Sequence, residues 1–268
     1  MKDPTLFDTI DPGLLNHYAT RRNAVGSVLK LGAATLTAPL MLATLAGNAH
    51  GENKDIHPGV FSVLRFALLL ERLEHDFYKQ GMETKGLIPP AHREIFETVR
   101  RHEAEHVKLL GTATLHITET DDFDFTAGGK FPDVFSNYKT FLALSQCFED
   151  TGVRAYKGQA TNLMSVGALL TIALTIHSVE ARHAAEIRRL RGEKAWITGS
   201  SRGSLPAFAQ PIYDGNGVSH EAGVSLAGID GTREGAASEA FDEPLSRSQV
   251  LAIVRPFVVK SSVIESSS

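Results

Sequence analysis

The sequence contains a single cysteine, Cys147, among its 268 residues. One thiol excludes an intramolecular disulfide framework and any cysteine-rich zinc or iron–sulfur site. We expect Cys147 to act as a small hydrophobe if it is buried in a helix. The sequence also lacks an excess of basic charge, because its formal net charge is −4. No nucleic-acid partner is therefore expected.

Large apolar residues are scarce between residues 193 and 239, where glycine and serine are common. This composition predicts a long irregular extension, which Trp196, Phe208 and Tyr213 would hold against the rest of the protein. Further on, "SRSQ" at 246–249 resembles a helix capping box followed by apolar residues. It predicts a short helix that docks either on its own chain or on another subunit, which leaves a homo-oligomer open.

The first fifty residues carry an apolar run, from about residue 24 to residue 46, directly after Arg21 and Arg22. The run resembles a twin-arginine export signal, with small residues at 47–49 for cleavage. This implies an exported protein, in the periplasm or the cell envelope. Two alternatives stay open: an uncleaved anchor, because a run of about 23 residues can span a bilayer, or an ordinary core helix. A membrane partner is expected only if the segment is retained.

The middle of the chain predicts four helices that pack into a bundle. Apolar residues recur there at three- and four-residue spacings, and hydrophobic residues make up 43% of the sequence, enough for a core. The prolines at 89 and 90 suit the first turn of the second helix, and Gly192 suits the end of the fourth. The predicted helices cover about 59–84, 90–116, 137–163 and 168–191.

Nineteen residues, "TETDDFDFTAGGKFPDVFS", separate the second and third predicted helices. A helix of about 25 residues is about 37 Å long, whereas nineteen extended residues reach about 60 Å. The loop can therefore cross the whole bundle. Short turns elsewhere predict two antiparallel hairpins, joined by this one long crossover.

Two of the helices carry the same Glu-Ala-x-His motif, with Glu103 and His106 in the second and Glu180 and His183 in the fourth. Each pair interrupts an apolar stripe that ought to face the core, whereas the neighbouring His102 lies on a face typical of a solvated surface. Burying an unpaired carboxylate is costly, and metal coordination is one of the few compensations.

The other two helices share a second pattern. Glu71 and Glu149 each stand seven residues before a tyrosine, Tyr78 or Tyr156, that is followed by lysine. The separation between that glutamate and the glutamate of the Glu-Ala-x-His motif is 32 residues in one hairpin and 31 in the other. The hairpins therefore look like copies of one unit. An exposed charged face, or a bundle that pairs its polar groups with one another, would explain less of this joint pattern than a metal site.

Over about residues 59–192 the chain resembles the ferritin-like superfamily, whose dinuclear bundles use a Glu from each of two helices and Glu-x-x-His from each of the other two. The stretches "LERLEHDFY" and "FDEPLSRSQVLAIVRPF" are similar to segments of the ferritin-like domain family that includes desiccation-related proteins. The resemblance implies an all-α, ferritin-like antiparallel four-helix bundle with one long crossover, plus an irregular C-terminal extension ending in a short helix.

The resemblance also implies a cofactor of two metal ions, iron or manganese, with the ligands Glu71, Glu103, His106, Glu149, Glu180 and His183. In this assignment Glu71 and Glu149 are terminal ligands, and each histidine binds one metal. Glu103 and Glu180 bridge the metals. Hydrogen bonds to the ligands are assigned to Tyr78 and Tyr156.

Some choices stay open in the sequence. Glu74 could replace Glu71, but Gly152 occupies the matching place in the third helix. His75 and His177 lie near the inward faces, where we expect supporting or core roles. Two Glu-x-x-His pairs make the set more like rubrerythrin or manganese catalase than like a storage ferritin. No Cys-x-x-Cys pair is present, so the rubredoxin-type electron donor of rubrerythrin is absent.

Three parts are therefore predicted: an export signal or N-terminal anchor at 1–50, the bundle at 51–192 and the extension at 193–268. The expected function is an exported oxidoreductase of ferroxidase, peroxidase or catalase type, whose small-molecule substrate is iron(II), dioxygen or hydrogen peroxide. A non-catalytic desiccation- or stress-related envelope scaffold is the alternative from another class. A metal-dependent hydrolase is weaker, because no nucleophile or substrate-binding motif supports it.

Overall fold

The structure is a computed structural model that describes residues 58–114, 121–221, 224–225 and 237–265. The predicted export segment, and with it the prediction of localisation, lies outside these ranges. Within them, none of the helices combines the length and the apolar character that a membrane crossing requires.

Four long helices form two hairpins. Helix α1 packs against α2, and α3 packs against α4. Their bounds are Pro58–Glu83 for α1, Arg93–Ala113 for α2, Tyr138–Gln159 for α3 and Gly167–Leu190 for α4. The all-α bundle that the sequence predicts is confirmed.

Four helix ends show why the bounds differ slightly from the predicted ones. Before α2 the chain forms a 3₁₀ turn at Pro90–His92, because proline suits a first turn that needs no amide donor. After α3 the predicted helix continues only as a 3₁₀ turn, Ala160–Leu163. Asn137 caps the start of α3 by accepting a hydrogen bond from the Lys139 amide. Gly192, just after the end of α4, has a φ of +76°.

The crossover between α2 and α3 packs into the core. Its strand β1, Asp122–Phe123, pairs antiparallel with a late strand, Val258–Lys260. Phe125 is buried in the same apolar cluster as Phe77, and the ring centroids are 5.2 Å apart. The long loop therefore also anchors the C-terminal part of the chain.

The C-terminal extension contains short elements. In chain order its helices are α5, Gln210–Tyr213, α6, Arg247–Val254, and α7, Ser262–Glu265. Strands β2 and β3, His220–Glu221 and Val224–Ser225, pair with each other, and β4 is Val258–Lys260. The capping box of Ser246 and Gln249 is present. Val250 and Val254 are buried in the core cluster that includes residues of α1 and α3, so the short helix docks on its own bundle.

A buried arginine fastens this extension to α3. Arg154 is 1% exposed, and it donates hydrogen bonds to the backbone carbonyls of Glu243, Asp214 and Ile212. Hydrogen bonds from a charged donor are the stronger kind. One side chain therefore connects two separate segments of the extension to the bundle.

A second buried contact lies beside the first. Arg188 of α4 and Asp150 of α3 form a bidentate ion pair, with nitrogen–oxygen distances of 2.9 and 2.5 Å. The Tyr213 hydroxyl donates a 2.6 Å hydrogen bond to Asp150. Tyr213 therefore packs as predicted, whereas the Trp196 side chain is half exposed and donates only to Glu239.

Candidate metal centre

Six polar side chains meet in the middle of the bundle, and each long helix contributes to them. The four glutamates, Glu71, Glu103, Glu149 and Glu180, are 0% exposed, and the histidines His106 and His183 are 8% and 5% exposed. Glu71 comes from α1 and Glu149 from α3, while α2 and α4 each supply one Glu-Ala-x-His pair. All six residues singled out from the sequence therefore occupy one buried space.

The six residues form two overlapping groups. One consists of Glu71, Glu103, His106 and Glu180, and the other of Glu103, Glu149, Glu180 and His183. In each group the candidate ligand atoms all lie within 4.8 Å of one another. Since Glu103 and Glu180 belong to both groups, the two groups share two carboxylates and differ in one terminal glutamate and one histidine.

The distances follow the repeat in the sequence. His106 Nδ1 lies 3.0 Å from an oxygen of Glu71 and 3.0 Å from an oxygen of Glu103. His183 Nδ1 lies 2.8 Å from the other Glu103 oxygen and 3.4 Å from Glu149. Each imidazole therefore faces its own terminal glutamate, and the two oxygens of Glu103 are divided between the two histidines.

The two tyrosines support the opposite hairpin. The Tyr78 hydroxyl of α1 donates a 2.5 Å hydrogen bond to Glu149 of α3, and the Tyr156 hydroxyl of α3 donates to Glu71 of α1. Burial raises the pKa of both hydroxyls well above its usual value, so both stay protonated as donors. Each terminal glutamate is thus oriented by a donor from the other half of the bundle.

Burial and mutual attraction set the protonation of the centre. Burial raises the pKa of Glu71 to about 7, and it raises the pKa of Glu180 well above its usual range, with the charge of Glu103 adding to the effect. Burial also acts on Glu103, but the imidazoles of His106 and His183 outweigh it and hold that pKa far below its usual range. Burial lowers the pKa of His183, but Glu149 and Glu103 outweigh it and raise the pKa to about 11. Without another cation, the His183 imidazole therefore carries a proton that a bound metal would displace.

The hydrogen bonding of these atoms tests whether the residues fit a cation. Among the described residues, five candidate ligand atoms have no hydrogen-bond partner: Glu103 Oε1, Glu149 Oε2, both oxygens of Glu180, and His183 Nδ1. His183 Nδ1 and Glu103 Oε1 are 2.8 Å apart but lack the angles of a hydrogen bond. Buried polar atoms without a hydrogen bond are rare and costly, whereas converging lone pairs are what a cation needs. The donor set therefore fits metal ions.

Glu74 adds a fifth buried glutamate beside the centre, on one side only. It is 3% exposed, and its Oε1 lies 3.1 Å from the place that a Cβ on Gly152 would occupy. Glu180 Oε2 lies 3.2 Å from the same place. Glu74 belongs to neither group found among the described residues. Its carboxyl instead fills the space that the glycine leaves in α3.

His102 is a residue whose contact the sequence did not predict. The side chain is exposed, as its polar face indicates, but His102 Nδ1 lies 2.9 Å from His183 Nε2, and the two rings stack at 5.2 Å. If His183 binds a cation through Nδ1, its Nε2 keeps the proton and donates to His102. Metal-binding histidines commonly have such a partner on the second nitrogen.

Two other histidines lie near the centre without joining it. His75 contacts the exposed Asp76 at 3.1 Å, and His177 is half-buried, three residues before Glu180. Neither belongs to the two groups found in the described part of the chain.

A four-helix bundle with shared carboxylates and paired imidazoles at its centre defines an all-α protein with a candidate metal site. A family model described as "Ferritin-like domain" matches residues 59–193, just over half of the chain, and the chain belongs to that family. A search of the curated proteins finds no match.

Proposed function

We propose that the protein binds two metal ions, iron or manganese, and acts as an oxidoreductase on iron(II), dioxygen or hydrogen peroxide. The observation that supports this most is the sharing of Glu103 and Glu180 between two ligand groups. A carboxylate that offers one oxygen to each group would bridge two cations. The unshared residues, Glu71 with His106 and Glu149 with His183, would then complete the ligands of one cation each.

The donor set favours the proposed metals by ligand type. Carboxylates and neutral imidazoles suit iron and manganese, although the order of affinities alone would favour copper or zinc. When bound, a pair of such ions supplies two one-electron steps close together. With iron(II) as substrate, two ions give up one electron each. Dioxygen takes both electrons and two protons and becomes hydrogen peroxide.

The protein's own groups would prepare the site for this chemistry. Tyr78 and Tyr156 would keep Glu149 and Glu71 oriented through their hydrogen bonds. Full burial of the four glutamates excludes bulk water, which strengthens the attraction between carboxylate and cation. His102 would orient His183 and connect it to the exposed surface.

Export forms part of the proposal. A twin-arginine route carries folded proteins, so the bundle would fold and take up its metal inside the cell. Metal selection would then depend on the composition of the cytoplasm, where the order of affinities does not act alone.

A scaffold for stress protection in the envelope is the second candidate. The observation that favours it is the buried attachment of the extension to the bundle through Arg154, since such a contact stabilises the fold and contributes nothing to the centre. Purified protein without stoichiometric metal, and without activity on peroxide or iron(II), would support this alternative.

The experiment that tests the proposal removes the shared carboxylates. We expect Glu103→Ala combined with Glu180→Ala to abolish binding of both metals, because each group loses two of its four ligands, while the protein stays helical. Elemental analysis, circular dichroism, and assays of iron(II) oxidation and peroxide consumption on the same samples measure this.

Glu105→Ala is the matched control, because Glu105 is exposed on the same helix and should keep its metal. Full metal content in the double variant would show that the ligands are wrong.

A further inference from the structure

A small apolar cavity, partly open on one side, lies between the four long helices, toward the turn between α3 and α4. Side chains from all four long helices line it, and its surface is apolar throughout. Tyr156 and Gln159 are its polar residues, but the Tyr156 hydroxyl is bonded to Glu71 and the Gln159 carbonyl to Asn162. The volume of this cavity that is open to a water-sized molecule is about 20 Å³, which is room for one small molecule.

The cavity adjoins the candidate metal centre. Ala67, Leu110 and Ile176, which all line it, each stand four residues, or about one helical turn, from Glu71, His106 and Glu180. These three side chains are at most 7% exposed. One layer of side chains, completed by Tyr156, therefore separates the cavity from the ligands.

The chemistry of the cavity selects the molecule that can occupy it. A water molecule in a cavity needs two to four polar partners, and apolar cavities stay dry while binding apolar molecules such as xenon. Hydrogen peroxide has two hydroxyl groups, and burying them without hydrogen bonds is costly. Dioxygen is small, uncharged and apolar, so its transfer from water into an apolar cavity costs little free energy.

We propose that this cavity binds dioxygen beside the metal centre, and that dioxygen, not hydrogen peroxide, is the oxidant that the protein uses. The inference rests on the proposed function for its redox role. Its structural part, a site for a small apolar molecule, stands independently.

The first test uses xenon as the probe, on crystals of the metal-loaded full chain under xenon pressure. Xenon should occupy the cavity between Ala67, Leu110 and Ala173. Ala173→Leu should remove it, because three added carbon atoms fill the space. Ala168→Leu is the matched control, since Ala168 is an exposed residue on the same helix and does not line the cavity.

The second test compares oxidants. Ala173 stands seven residues, about two turns, before Glu180, so Ala173→Leu should leave metal content unchanged. It should lower kcat/KM for dioxygen at least about tenfold, because a single methylene group in an apolar pocket already changes this ratio about 10- to 200-fold, while the reaction with added peroxide changes little. Ala168→Leu should leave both reactions as they are.

Failure of this inference and failure of the proposed function give different results. No xenon in the cavity, or equal effects of Ala173→Leu on dioxygen and peroxide, would overturn the inference while the metal centre stands. A protein without bound metal would overturn the proposed function, and dioxygen's role as oxidant with it. Xenon occupancy would still decide whether the cavity takes a small apolar molecule.

Discussion

The two hairpins, α1–α2 and α3–α4, present the same candidate ligands but surround them differently. Aligned on Glu71 and Glu149, the buried Arg154 of α3 corresponds to the exposed Asp76 of α1. By the same alignment Gly152 corresponds to Glu74. Aligned on the Glu-Ala-x-His motifs, His102 of α2 corresponds to Val179 of α4.

This difference separates two requirements on one repeated unit. In the proposed metal centre the ligand positions must match, because both halves would supply donors to it. The neighbouring positions have no such restriction, so one hairpin carries the attachment of the extension and the other supplies the surface histidine. The two ligand groups therefore have similar donors in unlike surroundings.

The largest expected effect comes from the residue that holds the extension. Arg154→Ala should lower the free energy of unfolding by about 3–5 kcal/mol, because one buried and two partly buried carbonyls lose their charged donor. Asp76→Ala, at the matching place in α1, should change it by no more than about 0.5 kcal/mol, since exposed ion pairs contribute little. Urea unfolding of the full chain measures both, and similar losses in the two variants would contradict the asymmetry.

A middle-sized effect is expected at the surface histidine. His102→Val, which gives α2 the residue that α4 has, should weaken metal binding about tenfold, because His183 loses the partner of its second nitrogen. Titration calorimetry with manganese(II) measures the affinity. Glu105→Gln on the same helix is the control and should bind metal normally. Equal affinities in all three proteins would mean that the contact between His102 and His183 has no role in binding.

The smallest effect on stability is expected at Gly152. Alanine normally stabilises a helix by about 0.5–1 kcal/mol over glycine, and Gly111→Ala in α2 should show this gain because nothing lies near its Cβ. Gly152→Ala should lose the gain and reduce metal occupancy, since the added carbon lies 3.1 Å from Glu74 and 3.2 Å from Glu180. Chemical denaturation and elemental analysis measure the two quantities.

A double variant sharpens this last comparison. In the Glu74→Ala background one of the two close contacts of the added methyl group is gone, so Gly152→Ala should lower the free energy of unfolding less there than in the natural protein. If the two effects simply add, the carboxyl of Glu74 and the glycine do not depend on each other.

Much of the fold and of the candidate site could be predicted from the sequence because both depend on regular spacing. A three-residue separation in a helix places Glu103 and His106 on one face whatever surrounds them. The contact of His102 could not be predicted, because a residue at the edge of a face meets its neighbour only at a particular rotation of α2 against α4. Arg154 is a similar case, since its partners are backbone carbonyls about 60 and 90 residues further along the chain.

By itself, the sequence determined the four helices, their pairing into repeated hairpins and the six inward-facing ligand candidates, since helical periodicity and a short turn act locally. Only the tertiary structure decided which side chains meet across helices: the crossed tyrosines, the Glu74 carboxyl beside Gly152, and the apolar side chains that line the cavity next to the centre. These depend on distances between elements remote in sequence, which are set by packing of the whole core.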